Sequence, residues 1–176
     1  KMPLIKTVEP DEADGKIKEM YDAMQGVAGF VPKPLQLMSA SPCVFESHAA
    51  FMQCMMSRQS ISPQLSGHIR LLVATASKYP YCIDMNSEML KKFAGLDDEQ
   101  VKAAMNNPAN AALPEKELAM LRFVVKAVCA PEDVQKDDLD LLRELAWSDE
   151  EIFECASQGA YMVYTGILFN AFKMGV

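Results

Sequence analysis

Three things are scarce in this sequence, and each absence narrows what the protein can be. Clustered positive charge is missing: 17 lysines and arginines are scattered among 24 acids, leaving a formal charge of −7. A nucleic-acid binder normally carries a basic stripe, so no nucleic-acid partner is expected. Long apolar runs are missing too. The most apolar stretch, residues 159–172, is interrupted by Thr165 and Asn170 and falls short of the ~20 residues a bilayer requires, so no membrane span is expected. Residues 7–19 are rich in acids, unlike a signal peptide, and Met2, preceded by Lys1, reads as the natural start. Metal-ligand spacing is the third absence. Two histidines, His48 and His68, occur in the whole chain, with no His-x3-His, Cys-x2-Cys or Glu-x-x-His pattern. Neither a metal nor a bound cofactor is expected.

The cysteines are Cys43, Cys54, Cys82, Cys129 and Cys155. An odd number, widely spaced and without a secretory signal, fits reduced thiols in a cytoplasmic protein rather than a disulfide framework. The length of 176 residues, half of them apolar, suits one domain spanning 1–176. The 13 methionines suit irregular cores and subunit contacts.

Strand-like alternation is almost absent, and helical punctuation recurs throughout. Ala13, Ile17, Met20, Tyr21 and Met24 follow three-and-four spacing, closed by Gly26. Residues 29–34, with two prolines, read as a loop. Ser41-Pro42 and Ser62-Pro63 each supply an N-cap followed by proline at the first helical position. The first opens a helix with Phe45, His48, Phe51, Met52, Met55 and Met56 on one face. The second opens one with Leu65, Ile69, Leu72, Val73 and Ala76. Pro80 begins a helix whose stripe is Cys82, Met85, Met89, Leu90 and Phe93. Asp97 and Gln100 form a capping pair for a short helix ending before Pro108. Pro114 starts a helix apolar nearly all round from Leu118 to Ala130, which predicts a central, buried position. Leu139, Leu142 and Leu145 mark the next helix, and Ser148 with Glu151 caps a long last one reaching about Phe172. The expected fold class is all-α, a helical bundle.

An internal similarity supports this layout. At an offset of 52, Arg70-Leu71-Leu72-Val73 falls on Arg122-Phe123-Val124-Val125, and Ala94, Asp97, Asp98 and Glu99 fall on Ala146, Asp149, Glu150 and Glu151. A duplicated helical hairpin is the reading.

The most informative stretch is Tyr79-Pro80-Tyr81-Cys82-Ile83-Asp84-Met85-Asn86-Ser87. Cys82 is placed in the first turn of its helix, where unpaired amides and the positive dipole end favour a thiolate. Asn86, one turn on, puts an amide within reach of the sulfur, and Lys78 lies four residues before it. Against this, free cysteine is among the most buried residue types, and spacing alone favours an inert core thiol on the apolar stripe.

Residues 71–101 resemble the helix–CxxC–helix segment of the carboxymuconolactone decarboxylase and alkylhydroperoxidase D family, in which Cys-x-x-Cys-x-x-x-His leads into Gly-Leu and an acidic cap. The matching residues are Ser77, Tyr81-Cys82, Asp84-Met85-Asn86 and Gly95-Leu96-Asp97-Asp98-Glu99. Residues 34–42, 114–126 and 147–164 resemble the family's remaining helices, so the likeness runs nearly the whole chain. It implies an alkylhydroperoxidase D-like bundle. The motif is degenerate here: the family's first cysteine falls on Tyr79, its histidine on Asn86 and its upstream relay acid near Gly67, with His68 beside it. Only Cys82 keeps its identity.

What the resemblance implies is a thiol-dependent, peroxidase-like oxidoreductase, attenuated by the lost cysteine. Cys82 would be the nucleophile, Asn86 its polar neighbour and His68 a stand-in for the relay acid. A peroxide would oxidise the thiolate, and Cys54, Cys129, Cys155 or an external thiol reductant would resolve it. The alternative is a non-redox relative of the decarboxylase branch, a small-molecule lyase or binding protein; a structural oligomer is the third reading. The family's habit implies a homo-oligomer, a trimer or hexamer, acting on a small molecule such as a hydroperoxide. The remaining polar features need no chemistry. His48 reads as a core or interface histidine. The acids at 97–99, 137–138 and 149–151 read as helix caps, and Tyr161 and Tyr164 as aromatic packing.

Overall fold

The computed structural model describes residues 3–175, so the start at Met2 lies outside the described residues. Among these every regular element is helical, and the chain is all-α. It forms two compact units, Lys1–Arg58 with Ile167–Val176, and Gln59–Gly166.

The first unit holds α1 (Gly15–Ala28), α2 (Lys33–Met38) and α3 (Pro42–Ser57). Its small core joins Tyr21, Leu35, Met38 and Phe45, with the Tyr21 and Phe45 rings edge-on at 6.1 Å. The Tyr21 hydroxyl donates to the Val8 carbonyl at 3.1 Å, satisfying the one polar atom the ring carries inward. Gly26 does not end α1. The helix runs on to Gly29, whose φ of 87° provides the left-handed cap that glycine adopts without strain. Nor is 29–34 all loop. Pro34 lies in the first turn of α2, where a missing N–H costs nothing. Ser41 caps α3 as expected. On the predicted face of α3, however, Phe45 and His48 are buried while Met56 is exposed.

The second unit carries α4 (Pro63–Ala76), α5 (Pro80–Ala94), α6 (Asp98–Asn106), α7 (Glu115–Cys129), α8 (Lys136–Glu144) and the start of α9 (Asp149–Ala171). Single 3-10 turns at Pro108–Asn110 and Pro131–Asp133 link them. The predicted caps form. Ser62 Oγ accepts from the Leu65 N–H at 3.0 Å. Asp97 and Gln100 bond reciprocally at 2.8 and 3.0 Å, as do Ser148 and Glu151 at 3.2 and 2.9 Å. The core is built from Leu65, Ile69 and Leu71 of α4, Met120, Leu121 and Val124 of α7, and Leu142 of α8, all buried.

Two expectations fail on burial. Helix α7 is not buried all round: Arg122 and Cys129 are exposed. On α5 the buried stripe is Cys82, Asn86 and Leu90, while Phe93 is 52 % exposed. A polar residue thus occupies the middle of the inward face, and its partner explains why.

Candidate functional site

Helices α4 and α5 pair as an antiparallel hairpin, and three layers run along their seam. At the first, a Cβ on Gly67 would come within 2.6 Å of Leu90 Cδ2. This is the position on which the resemblance placed an acid, and the Leu90 side chain fills the space. In the second layer, Arg70 Nε donates to Asn86 Oδ1 at 3.1 Å. In the third, Cys82 packs in a cluster with Val73, Ala74 and Met162, flanked by Tyr79, Tyr81, Ile83, Val128 and Val163.

The joint between the two helices follows from local chemistry. Lys78 adopts φ 57°, and the Tyr79 N–H reaches back to the Ala74 carbonyl at 3.0 Å, closing α4 with a left-handed residue. Pro80 then opens α5, which has no side-chain cap. Tyr79, where the resemblance placed the first motif cysteine, lays its ring against α9 at Gly166. A Cβ on that glycine would come within 2.1 Å of the ring.

Cys82 is the third residue of α5, so its amide belongs to the unpaired first turn. The helix dipole favours a thiolate there, but burial opposes it. The side chain is 1 % exposed, and desolvation pushes the thiol up to about 11. Desolvation wins, and the resting form is the neutral thiol. Asn86 does not use its amide on the sulfur: Nδ2 donates to the Cys82 carbonyl at 2.7 Å, leaving Oδ1 for Arg70. One side chain therefore ties the first turn of α5 to a cation on α4.

His68 lies elsewhere. It is fully buried, and burial lowers its pKa. Its Nδ1 pairs with the Gln64 carbonyl at 2.8 Å, and its charged neighbour is Glu117 of α7, which accepts from Ser62 Oγ at 3.0 Å. No hydrogen bond or charge coupling joins His68 to Cys82 among the described residues. His48 is buried on α3 and is pushed down to about 4 by desolvation. All five cysteines are free thiols. Cys155, the other buried one, belongs to the main core cluster rather than to that of Cys82. No group of three or more metal-ligating side chains occurs among the described residues, and no helix there is long and apolar enough to cross a membrane.

The Tyr161 and Tyr164 rings meet in a tilted pair, their centroids 5.2 Å apart, with Tyr164 41 % exposed. Beside them, Ala127 and Val128 of α7 and Phe153, Ala156, Ser157, Ala160 and Val163 of α9 line an open, mostly apolar groove of about 480 Å³.

Sequence reasoning missed Arg70 as a site residue. The available signal was a lone cation inside His68-Ile69-Arg70-Leu71-Leu72-Val73, on a helix that is otherwise apolar there.

No protein-family model and no curated protein sequence matches the chain. The fold has clear counterparts among solved structures. An alkylhydroperoxidase AhpD core, the uncharacterized peroxidase-related protein from Ralstonia eutropha JMP134, superposes with a TM-score of 0.84 at 21% identity, covering 98% of this chain and 90% of that one. An uncharacterized peroxidase-related protein from Silicibacter sp. TM1040 gives 0.81 at 20% identity, covering 99% and 92%. The debrominase Bmp8, as a cysteine-to-alanine variant in complex with 2,3,4-tribromopyrrole, gives 0.80 at 20% identity, covering 97% and 89%. The architecture is that of the alkylhydroperoxidase D core.

Proposed function

We propose that this protein is a one-cysteine, thiol-dependent oxidoreductase that reduces a small organic hydroperoxide at Cys82. The observation that carries the reading is a free thiol in the first turn of α5, one helical turn from the Arg70–Asn86 pair and otherwise in apolar surroundings. The peroxidase-related proteins that share the fold support it. In the first step the Cys82 thiolate attacks the peroxide. The O–O bond breaks, an S–O bond forms, and with one proton the products are sulfenic acid and alcohol. An external thiol then displaces water to give a mixed disulfide, and a second thiol releases Cys82 and leaves as disulfide. The external thiol is needed because the position of a resolving cysteine holds Tyr79. Asn86 fixes the first turn of α5, and His68, set beside Glu117, has no part in these steps.

A non-redox reading, a lyase or binding protein on the same fold, draws support from the raised thiol pKa. A group titrating near 11 is roughly one part in ten thousand thiolate at pH 7. We also propose that copies of the chain associate through the apolar groove of α7 and α9, beside which Phe153 is 74 % exposed.

Consumption of cumene hydroperoxide with dithiothreitol separates the readings, with a bromopyrrole in the same panel because a debrominase shares the fold. The wild type is expected to turn over one class of electrophile. Cys82→Ser should lose that activity and the exposed-site variant Cys129→Ser should keep it. Turnover that survives Cys82→Ser would overturn the redox reading.

A further inference from the structure

Arg70 is an anomaly in the α4–α5 seam, half-buried there. Among the described residues its guanidinium makes one hydrogen bond, Nε to Asn86 Oδ1, and no ion pair. Burial lowers its pKa to about 10, and no acid is present to raise it. By solvent exposure Arg70 is half-buried, and a cation so far withdrawn from water is ordinarily paired with a carboxylate. Here the neighbour is a neutral amide, and the two terminal nitrogens, the edge that matches a carboxylate in bidentate geometry, are left without protein partners. The next layer of the seam, about one helical turn away, is Cys82.

We infer that Arg70 is the anchor for a carboxylate on the molecule that Cys82 acts on, so that the substrate is a small organic acid whose reactive group lies about one helical turn from its carboxyl. This rests on the proposed site and deepens it by naming a substrate class. The supporting geometry is a fork with one edge committed and the other open, on a side chain fixed by Asn86, which is itself fixed to the Cys82 carbonyl. A single cation favours a monoanion, because a phosphate dianion would need further positive charge that the seam does not supply.

The test is calorimetric binding of benzoate and hexanoate, against benzamide and hexanamide, to the full chain as wild type, Cys82→Ser, Arg70→Gln and Arg70→Lys. The expected result is that at least one carboxylate binds wild type and Cys82→Ser equally. It should weaken roughly tenfold to a hundredfold in Arg70→Gln and less in Arg70→Lys, which keeps the charge and loses the fork. The amides should bind weakly and without regard to residue 70. Thermal melting of Arg70→Gln establishes that it is folded; were it not, Arg70→Lys would carry the comparison. Carboxylate binding that is unchanged by Arg70→Gln, no stronger than amide binding, or absent from wild type overturns the inference. Binding with these properties in a protein whose Cys82 resists every hydroperoxide leaves the anchor standing and removes only the redox reading.

Discussion

Arg70 and Arg122 occupy corresponding places in two apolar helices, and the structure treats them in opposite ways. In the α7–α8 hairpin Arg122 is exposed and charge is neutralised pair by pair. Lys126 bonds Asp138 at 2.6 Å, Lys136 bonds Asp140, and Arg143 bonds Asp140 and Asp149 at 2.9 and 2.8 Å. The α4–α5 hairpin also pairs a surface cation, Lys91 with Glu88 and Asp98, but its half-buried Arg70 hydrogen-bonds Asn86 and makes no ion pair among the described residues. The joints differ too. A 3-10 turn, Pro131–Asp133, links the second pair, whereas Tyr79 pins the first against Gly166. A hairpin that only has to be stable leaves its cations at the surface, where water or a carboxylate solvates them. One that holds a half-buried cation without a carboxylate, one layer along the seam from a thiol, carries a cost that stability does not explain.

The comparison sharpens into measurements, from the largest effect down. Leu71 and Leu121 are both fully buried, one in each hairpin. Truncating either to alanine should cost about 2–5 kcal/mol in chemical denaturation, establishing that the hairpins contribute alike to the core and differ in chemistry. Gly166→Ala should cost about 1–3 kcal/mol by overpacking against Tyr79. The double variant with Tyr79→Ala should lose less than the two single changes together. Additive losses would remove Tyr79 as the pin of the first joint. Replacing the buried polar pair, Arg70→Met with Asn86→Leu, should leave stability unchanged or raise it by about 1–2 kcal/mol. A loss of several kcal/mol would make the pair structural. The smallest effect is in acid. Lys126 holds the Asp138 carboxyl below its usual 3.8, so its stabilisation is present above that value and lost as pH falls through the lower folded one. Lys91 of α5 holds Asp98 low in the same way, so hydrogen exchange below pH 4 should loosen the outer ends of α5 and α8 together, while the Arg70–Asn86 contact, which has no carboxylate to titrate, stays protected.

What was legible in the sequence was what is decided locally. Ser41, Ser62, Asp97 and Ser148 announce helix starts because a cap needs only its own next three residues. The all-helical architecture followed from those starts and the apolar spacing. Cys82 was legible as a candidate because Pro80 fixes its place in a first turn. What was hidden depended on neighbours far along the chain. Periodicity counts asparagine as polar and phenylalanine as apolar, so it sent Phe93 inward and gave no inward role to Asn86; a partner on α4 accounts for Asn86, and Phe93 lies exposed under Lys92. An arginine in an apolar helix normally extends its head to water along its own stem. Nothing in the order of residues shows that Arg70 stays in the seam. The stop at Gly29 rather than Gly26 was hidden for a smaller reason, since either glycine could end α1 and only the backbone at φ 87° settles it.

Site-resolved oxidation tests the assignment of the α4–α5 hairpin most directly. The protein is exposed to its best hydroperoxide between pH 7 and 10, sulfenic acid is trapped with dimedone, and the label is located by mass spectrometry. Because burial raises the Cys82 thiol to about 11, the thiolate fraction should grow about tenfold per pH unit across that range. The account predicts that Cys82 carries the label despite its burial, at a rate that climbs with pH and falls in Arg70→Gln for a carboxylate-bearing peroxide. Label that instead follows exposure, appearing on Cys43, Cys54 and Cys129 while Cys82 stays reduced, would contradict it.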